Sequence, residues 1–396
     1  MVRHLKEKYL YLYLFIIFYF FGLYYNSEQA YNLIRILGLV TIIVIPFLAR
    51  FKKDKFSFYI ISFFIYSVIE MVISTFRYNT SILTMVLFSS SYFVLPSYFI
   101  FNKIDREKLV KILCFISSLS ISILAVQYFF YNNFGVEFLF KFSELPVRMD
   151  VQRIYVGIYI IPFVFLISLS RIIIYLNNKS KIPKLYLISL FLSLFDLYFF
   201  VMTRSFLVLI LLISSIMILL FLKTKIKIYF IIILSFLLYL AYSSFGIFDK
   251  YIEFQKDADT DTLSIRFEAI GYYLNKTTDD NPFLGFGYIR TDNSALENLL
   301  HGANGEYYRE DVGIFGFYNN FGLIGIIWML GLFYTMLKIV INKYRDKTIF
   351  KKPEYLAIVL MFILSEVTSI NFINYDGIAS FPLILLLLKD SKTDYL

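Results

Sequence analysis

Apolar residues in this chain come in runs about as long as a bilayer is thick, and that feature constrains its fold more than any other. The stretches 56–75 and 109–131 each carry a single charged side chain. An apolar helix needs about 20 residues to cross the hydrocarbon. Lipid offers backbone groups no partner, so each such run must be helical. Candidate spans fall at 9–25, 31–49, 56–75, 82–100, 109–131, 154–176, 184–202, 205–222, 228–246, 312–340, 355–370 and 377–388. The expected architecture is an all-α integral membrane protein of about 12 transmembrane helices, residues 1–396 forming one polytopic domain. Composition agrees: 59% of residues are hydrophobic and 17% charged, where soluble chains carry roughly a quarter charged. The first span lacks a small-residue cleavage site and is followed at once by a second, so it is expected to be retained. The single cysteine, Cys114, falls inside a span, so no disulfide can form within the chain.

The connecting segments set the orientation. With both termini cytoplasmic, the inner segments include "RFKKDK", "NKIDREKLVK", "KTKIK" and "NKYRDKTIFKKPE", and they hold most of the basic residues. The positive-inside rule favours this arrangement. It also accounts for most of the +9 net charge, so the basic balance gives no reason to invoke nucleic acid. Two longer polar segments, 132–153 and 247–311, then lie outside. In the second, "LSIRFEAIGYYL" reads as a short amphipathic helix capped by Ser264, followed by the punctuated turn "NPFLGFGYIR". No internal repeat supports an inverted-repeat transporter.

Basic residues differ in kind between the two sides. Lysines dominate the inner segments, whereas arginines outnumber lysines on the outer side: Arg35, Arg77, Arg148, Arg153, Arg204, Arg266, Arg290 and Arg309. Topology requires positive charge inside but does not predict arginine outside. The planar guanidinium grips phosphate or carboxylate with two bonds and is weakly hydrated. Pairing with acidic loop residues is the simpler alternative for these arginines. Three carboxylates, Glu70, Asp196 and Glu366, lie within spans in their outer halves. Intramembrane acids face protein or a watery cavity, which implies a polar pocket opening outward, whether or not each acid merely balances an arginine. Arg204 interrupts "FFVMTRSFLVLILL" with almost no polar residue around it. Its placement near hydrocarbon costs on the order of 3 kcal/mol.

Three local patterns carry a family likeness: "MTRSF" (202–206), "SIRFEAIGYYLNKTTDDNPFLGFGY" (264–288) and "EDVGIFGFYNNFGLIGIIW" (310–328). In their order and topological side these resemble the O-antigen polymerase and ligase superfamily of bacterial membrane glycosyltransferases. The likeness covers residues 199–330 by motif and the remainder by the pattern of spans. It implies a donor glycan linked through diphosphate to a polyprenyl lipid, and a lipid-linked repeat unit as acceptor. It further implies action at the outer face of the plasma membrane, with a chain-length regulator protein as a possible partner and no cofactor. On this resemblance Arg204 and Arg266 hold the diphosphate, Arg290 assists, and Arg309 or Arg77 completes the site. Gly285 and Gly287 let backbone approach the ligand, and Asp196 lines the polar cavity. The family's ligases carry a histidine eleven residues before the glycine that here is Gly322; that position holds Asp311, the expected general base. Asp311 also stands where it could cap the following span, and Glu310, Glu306 and His301 are rival bases. The alternatives are glycan ligation to another acceptor and lipid-linked oligosaccharide transport.

Other patterns fit less well. "DADTDTLSIRFE" (257–268) matches a calcium-loop template at several acidic positions, but Thr262 occupies the required glycine. Tyr272, Tyr273, Tyr307 and Tyr308 are of a type that stacks on sugars. No P-loop, Gly-x-Ser-x-Gly or Cys/His metal spacing occurs.

Overall fold

The computed structural model describes residues 2–20, 27–49, 51, 54–137, 147–148, 151–152, 157–197, 204–223, 227–229, 247–289, 294–302, 305–374 and 377–389. Among them the protein is helical apart from a minimal antiparallel pair, Val147–Arg148 with Val151–Gln152. The helices are α1 (Val2–Phe20), α2 (Ser27–Leu48), α3 (Lys55–Arg77), α4 (Ile82–Ser89), α5 (Ser97–Phe101), α6 (Arg106–Phe134) and α7 (Ile161–Asn177). They continue as α8 (Lys184–Asp196), α9 (Arg204–Phe221), α10 (Ile247–Asp280), α11 (Ser294–His301), α12 (Ile314–Arg345), α13 (Glu354–Thr368) and α14 (Ser380–Leu388).

Among the described residues three helices, α3, α6 and α12, are long and apolar enough to cross a membrane. Their outer surfaces invert the soluble pattern. Along α3, Phe58, Ile61, Ile65, Ile69, Val72 and Phe76 are exposed at helical spacing, while Ser67, Glu70 and Ser74 are buried. Along α12, Leu323, Ile324, Ile327, Leu330, Tyr334, Leu337 and Ile341 form a comparable outward stripe. A contiguous apolar face of this size is a surface for lipid or another protein. The core lies around α14, every residue of which is buried, and α7, whose stretch Ile161–Ser170 is buried throughout. A nine-residue helix that is apolar all round survives because protein covers it on every side.

Several expected elements differ in detail. The run 82–100 is not one helix: α4 gives way to a 3-10 turn at Ser90–Val94 and then to α5. The run 228–246 lies almost wholly outside the described residues. The segment 247–311, expected outside, is not a loop with a short helix. It is dominated by α10, 34 residues long, in which Ser264 sits mid-helix and caps nothing. The calcium-loop template also falls inside α10, and a helix cannot wrap an ion as that loop must.

Helix direction assembles the polar residues into two layers. α3 opens at Asp54, whose carboxylate caps Phe56 and Ser57 in a capping box. The same carboxylate accepts from Tyr98 and from Lys389 at 2.8 Å. Beside it, Arg106 at the start of α6 bonds Glu354 at the start of α13 at 3.1 Å. Arg171 bridges Glu354 at 3.2 Å and Glu107 at 2.7 Å. Arg106 also lies 4.5 Å from the Tyr355 ring centre, and Lys343 near the end of α12 stands 4.1 Å from it. This is the lysine-rich end. The end of α3, the start of α12 and the end of α13 meet at the opposite end, roughly 34 Å away by the rise of the 23-residue α3.

Candidate functional site

The opposite end is organised by a break in α12. Gly322 leaves the helix at φ 60°, ψ −163°, splitting α12 into two segments. The turn 281–289 fills the break. Leu323 N donates to the Pro282 carbonyl at 2.9 Å and Ile324 N to Phe283 at 3.2 Å, covering the opened amides of the second segment. Phe286 N and Gly287 N donate to the Asn319 and Asn320 carbonyls at 2.8 and 2.9 Å, while Tyr66 Oη donates to the Phe321 carbonyl at 2.7 Å. Each orphaned helix end thus finds partners in one short turn.

The side chains around the turn hold it in turn. Arg77 Nη1 donates to the Gly285 carbonyl at 2.7 Å, Tyr78 Oη to Phe286 at 2.6 Å, and Arg309 Nη1 to Gly287 at 3.1 Å. Tyr288 N donates to Ser74 Oγ at 3.0 Å. Gly285 and Gly287 both have positive φ. A Cβ on Gly285 would stand 2.6 Å from Gly322 N, and one on Gly287 2.7 Å from Glu70 Oε2. These glycines therefore let the turn approach α3 and α12. Sequence reasoning assigned the same freedom to a ligand. Likewise Arg77 and Arg309, expected at the phosphate, spend one nitrogen each on this turn.

Arg309 has more to offer than that bond. It lies in the 3-10 turn Arg309–Val312 and is 7% exposed. Its Nε and Nη2 have no hydrogen-bond partner, and it forms no ion pair among the described residues. Burial pulls its pKa below the ordinary guanidinium value, opposed by Tyr273, Tyr78 and Glu310 nearby. Two residues on, Asp311 points the other way and meets Arg266 of α10, Oδ1 to Nη2 at 4.0 Å, both side chains about half exposed. The expected base and an expected diphosphate ligand are thus adjacent. Asp311 does not cap α12; that position is Gly313, which makes no side-chain cap.

Of the rival bases, His301 has a partner for its side chain. His301 Nδ1 is 2.7 Å from the Tyr307 carbonyl, and its ring packs against Tyr308 at 4.9 Å. The Glu310 carbonyl accepts from Ile370 N at 3.0 Å, tying the 3-10 turn to the end of α13. Glu306 is exposed. Glu366 takes Phe372 N and Asn371 N at 2.5 and 3.1 Å, so it organises the segment after α13. Tyr272 and Tyr273 close the end of α11 by donating to the Asn298 and Leu300 carbonyls at 3.1 and 2.6 Å, leaving neither hydroxyl proton for a sugar.

Asp196, the last residue of α8, is fully buried with both oxygens unpartnered. Among the described residues no hydrogen bond or ion pair joins it to Arg77, Arg266, Arg309 or Asp311. Arg204 opens α9, as its motif suggests, and α9 ends at the lysine-rich end, where Asn177 Nδ2 donates to the Phe221 carbonyl at 2.6 Å. The Arg204 side chain and the whole of Arg290 lie outside the described residues. Sequence reasoning missed Ser74 and Tyr78 as partners of the turn and Tyr66 as a partner of the break in α12. The i, i+4, i+8 spacing of Tyr66, Glu70 and Ser74 along an otherwise apolar run was the available signal. No family model matches the chain, and no curated protein matches it.

Proposed function

We propose that the chain is a membrane glycosyltransferase that polymerises polyprenyl-diphosphate-linked oligosaccharide repeat units for a bacterial surface polysaccharide. In this reading it crosses the plasma membrane about 12 times, with both termini cytoplasmic and the turn end facing outward. The observation that carries it is the Arg266–Asp311 pair at 4.0 Å, half exposed, beside the buried and incompletely bonded Arg309. The lysine-rich composition of the other end supports the orientation.

The chemistry needs a group that accepts a proton and cations that receive a leaving diphosphate. The acceptor sugar hydroxyl attacks the anomeric carbon of the donor and passes its proton to the Asp311 carboxylate. The bond from that carbon to the diphosphate oxygen breaks, and its electron pair leaves with the diphosphate. Arg266, with Arg204 and Arg290, stabilises the charge that develops there. Its loose contact with Asp311 leaves the guanidinium edge accessible, whereas a close bidentate pair would occupy it.

In a deletion strain complemented with Arg266→Lys or Asp311→Asn, the surface glycan should collapse from a ladder to single repeats while the protein still accumulates in the membrane. Near-normal ladders in both variants would refute the reading. Loss of all surface glycan with intact lipid-linked chains would identify a ligase instead.

A further inference from the structure

Behind the turn, on the α3 side of Gly287, lies a second polar cluster that the proposed chemistry does not use. Glu70 of α3 is fully buried, and neither carboxylate oxygen has a hydrogen-bond partner among the described residues. Ser67, one helical turn before it, is 3% exposed with its hydroxyl unpartnered. Tyr288, on the turn itself, is 4% exposed, and its hydroxyl adjoins Ser67 within electrostatic reach of Glu70. Ser74 completes the face, with its oxygen bonded to Tyr288 N. The Tyr66 hydroxyl adjoins Glu70 while giving its proton to the Phe321 carbonyl. A site for a Gly287 Cβ would lie 2.6 Å from Ser74 Oγ and 2.7 Å from Glu70 Oε2, which brings the turn and α3 into contact here.

Three features define the chemistry of this cluster. All its ligating atoms are oxygens, which suits a hard cation. It holds one formal negative charge, so a monovalent ion would leave it neutral, whereas a divalent one would bury a net positive charge. It also sits at the break in α12, where the first segment ends at Asn319–Phe321. The carbonyl end of a helix segment carries partial negative charge, and interrupted membrane helices use such ends to hold monovalent cations. The nearest competing cation is Arg77, on the same face of α3. Its Nη1 is committed to Gly285, and no Arg77 nitrogen comes within 4.0 Å of a Glu70 oxygen as an ion pair among the described residues. Arg309 lies across Gly287, on the far side of the turn.

We infer that Glu70, Ser67 and Tyr288, with Ser74 and Tyr66 around them, form a buried site for a monovalent metal cation of the sodium class that seats the turn 281–289 against α3. The ion neutralises Glu70 beneath Gly287, and a seated turn keeps the 3-10 turn of Arg309–Val312 in place. The site does not depend on the glycosyl-transfer reading, because its occupancy is read from stability alone.

The test is thermal unfolding of the full-length protein, purified in detergent, in sodium, potassium, lithium or choline chloride at one ionic strength. The unfolding midpoint should rise with the logarithm of sodium concentration, by about 3 °C or more between 1 and 100 mM, and choline should give no rise. Glu70→Gln should abolish the sodium response. Should that variant not fold, Ser67→Ala and Tyr288→Phe should each shift the response to higher sodium concentration. Equal midpoints in all four salts would overturn the inference and leave a water-filled polar chamber. A midpoint that ignores sodium but rises as the pH is lowered would also overturn it, assigning the place to a proton.

Discussion

The two ends of the bundle solve the same electrostatic problem in opposite ways. At the lysine-rich end, Arg106, Arg171, Glu107 and Glu354 interlock at 2.7–3.2 Å across three helices, two positive charges against two negative. Asp54 and Lys389 pair beside them. At the turn end, Arg309 and Glu70 are buried as deeply, yet neither forms an ion pair among the described residues. Paired charge at one end holds helices together, although Arg106 Nη2, Arg171 Nε and Glu354 Oε2 there also lack a hydrogen-bond partner, while charge without an ion pair at the other end leaves bonding capacity for something beyond the chain itself. Desolvation explains the contrast: a buried charge without a partner is costly, so it persists where another requirement keeps it.

The largest expected effect tests that contrast directly. Glu354→Ala leaves Arg106 and Arg171 facing one another without their shared carboxylate, and should cost about 3–5 kcal/mol. Arg309→Met removes a charge that has no ion-pair partner and loses a single bond to Gly287, about 1–3 kcal/mol. Unfolding midpoints in detergent should therefore fall far more for Glu354→Ala; equal falls would break the comparison.

Next in size is the break in α12. Gly322→Ala places a Cβ 2.3 Å from the Phe283 carbonyl at φ +60°, at a cost of about 1–3 kcal/mol for the backbone conformation before any displacement of the turn. Its midpoint should fall, and the glycan ladder should shorten with it. Gly271→Ala on α10, whose Cβ would meet nothing within 4 Å, is the control and should leave the ladder unchanged and the midpoint unchanged or slightly raised, because a helix favours alanine over glycine.

A smaller effect concerns Asp54. Burial raises its pKa, but the bonds from Lys389, Tyr98 and Ser57 prevail and hold it below the ordinary aspartate value. A depressed carboxylate contributes stability above its unfolded pKa and loses it as pH falls through the folded value. The wild-type midpoint should thus drop on acidification below about pH 4, and Asp54→Asn should show a lower midpoint at pH 7 and less further loss in acid.

The smallest expected effect is at Arg266 and Asp311. A half-exposed pair at 4.0 Å should couple by less than about 1 kcal/mol in a double-mutant cycle. Strong coupling in stability would make the pair structural and weaken its assignment to chemistry.

Helix positions were legible because length and apolar content follow from the hydrocarbon thickness. Candidate spans 56–75, 109–131 and 355–370 lie within a few residues of α3, α6 and α13. The 34-residue α10 was less legible, because its polar composition carries no strong apolar stripe. The pairing of Asp311 with Arg266 was legible in part, since the family likeness brought both into one site. The structural task of Arg77, Gly285 and Gly287 was not legible. The side chains that give them a structural task, Tyr78, Ser74 and Glu70, lie more than 200 residues from the turn they hold.

From the order of residues alone come the helical class, the approximate ends of the helices, and the segregation of lysine from arginine along the chain. Solvent and lipid act on each segment separately, so those properties are local. Which buried charges find partners is a different matter. Arg106 meets Glu354 and Arg309 meets no carboxylate because of how α6, α13 and the 3-10 turn are placed around one core. Electrostatic satisfaction depends on distances of a few ångströms between remote residues, and only the packed bundle sets those distances.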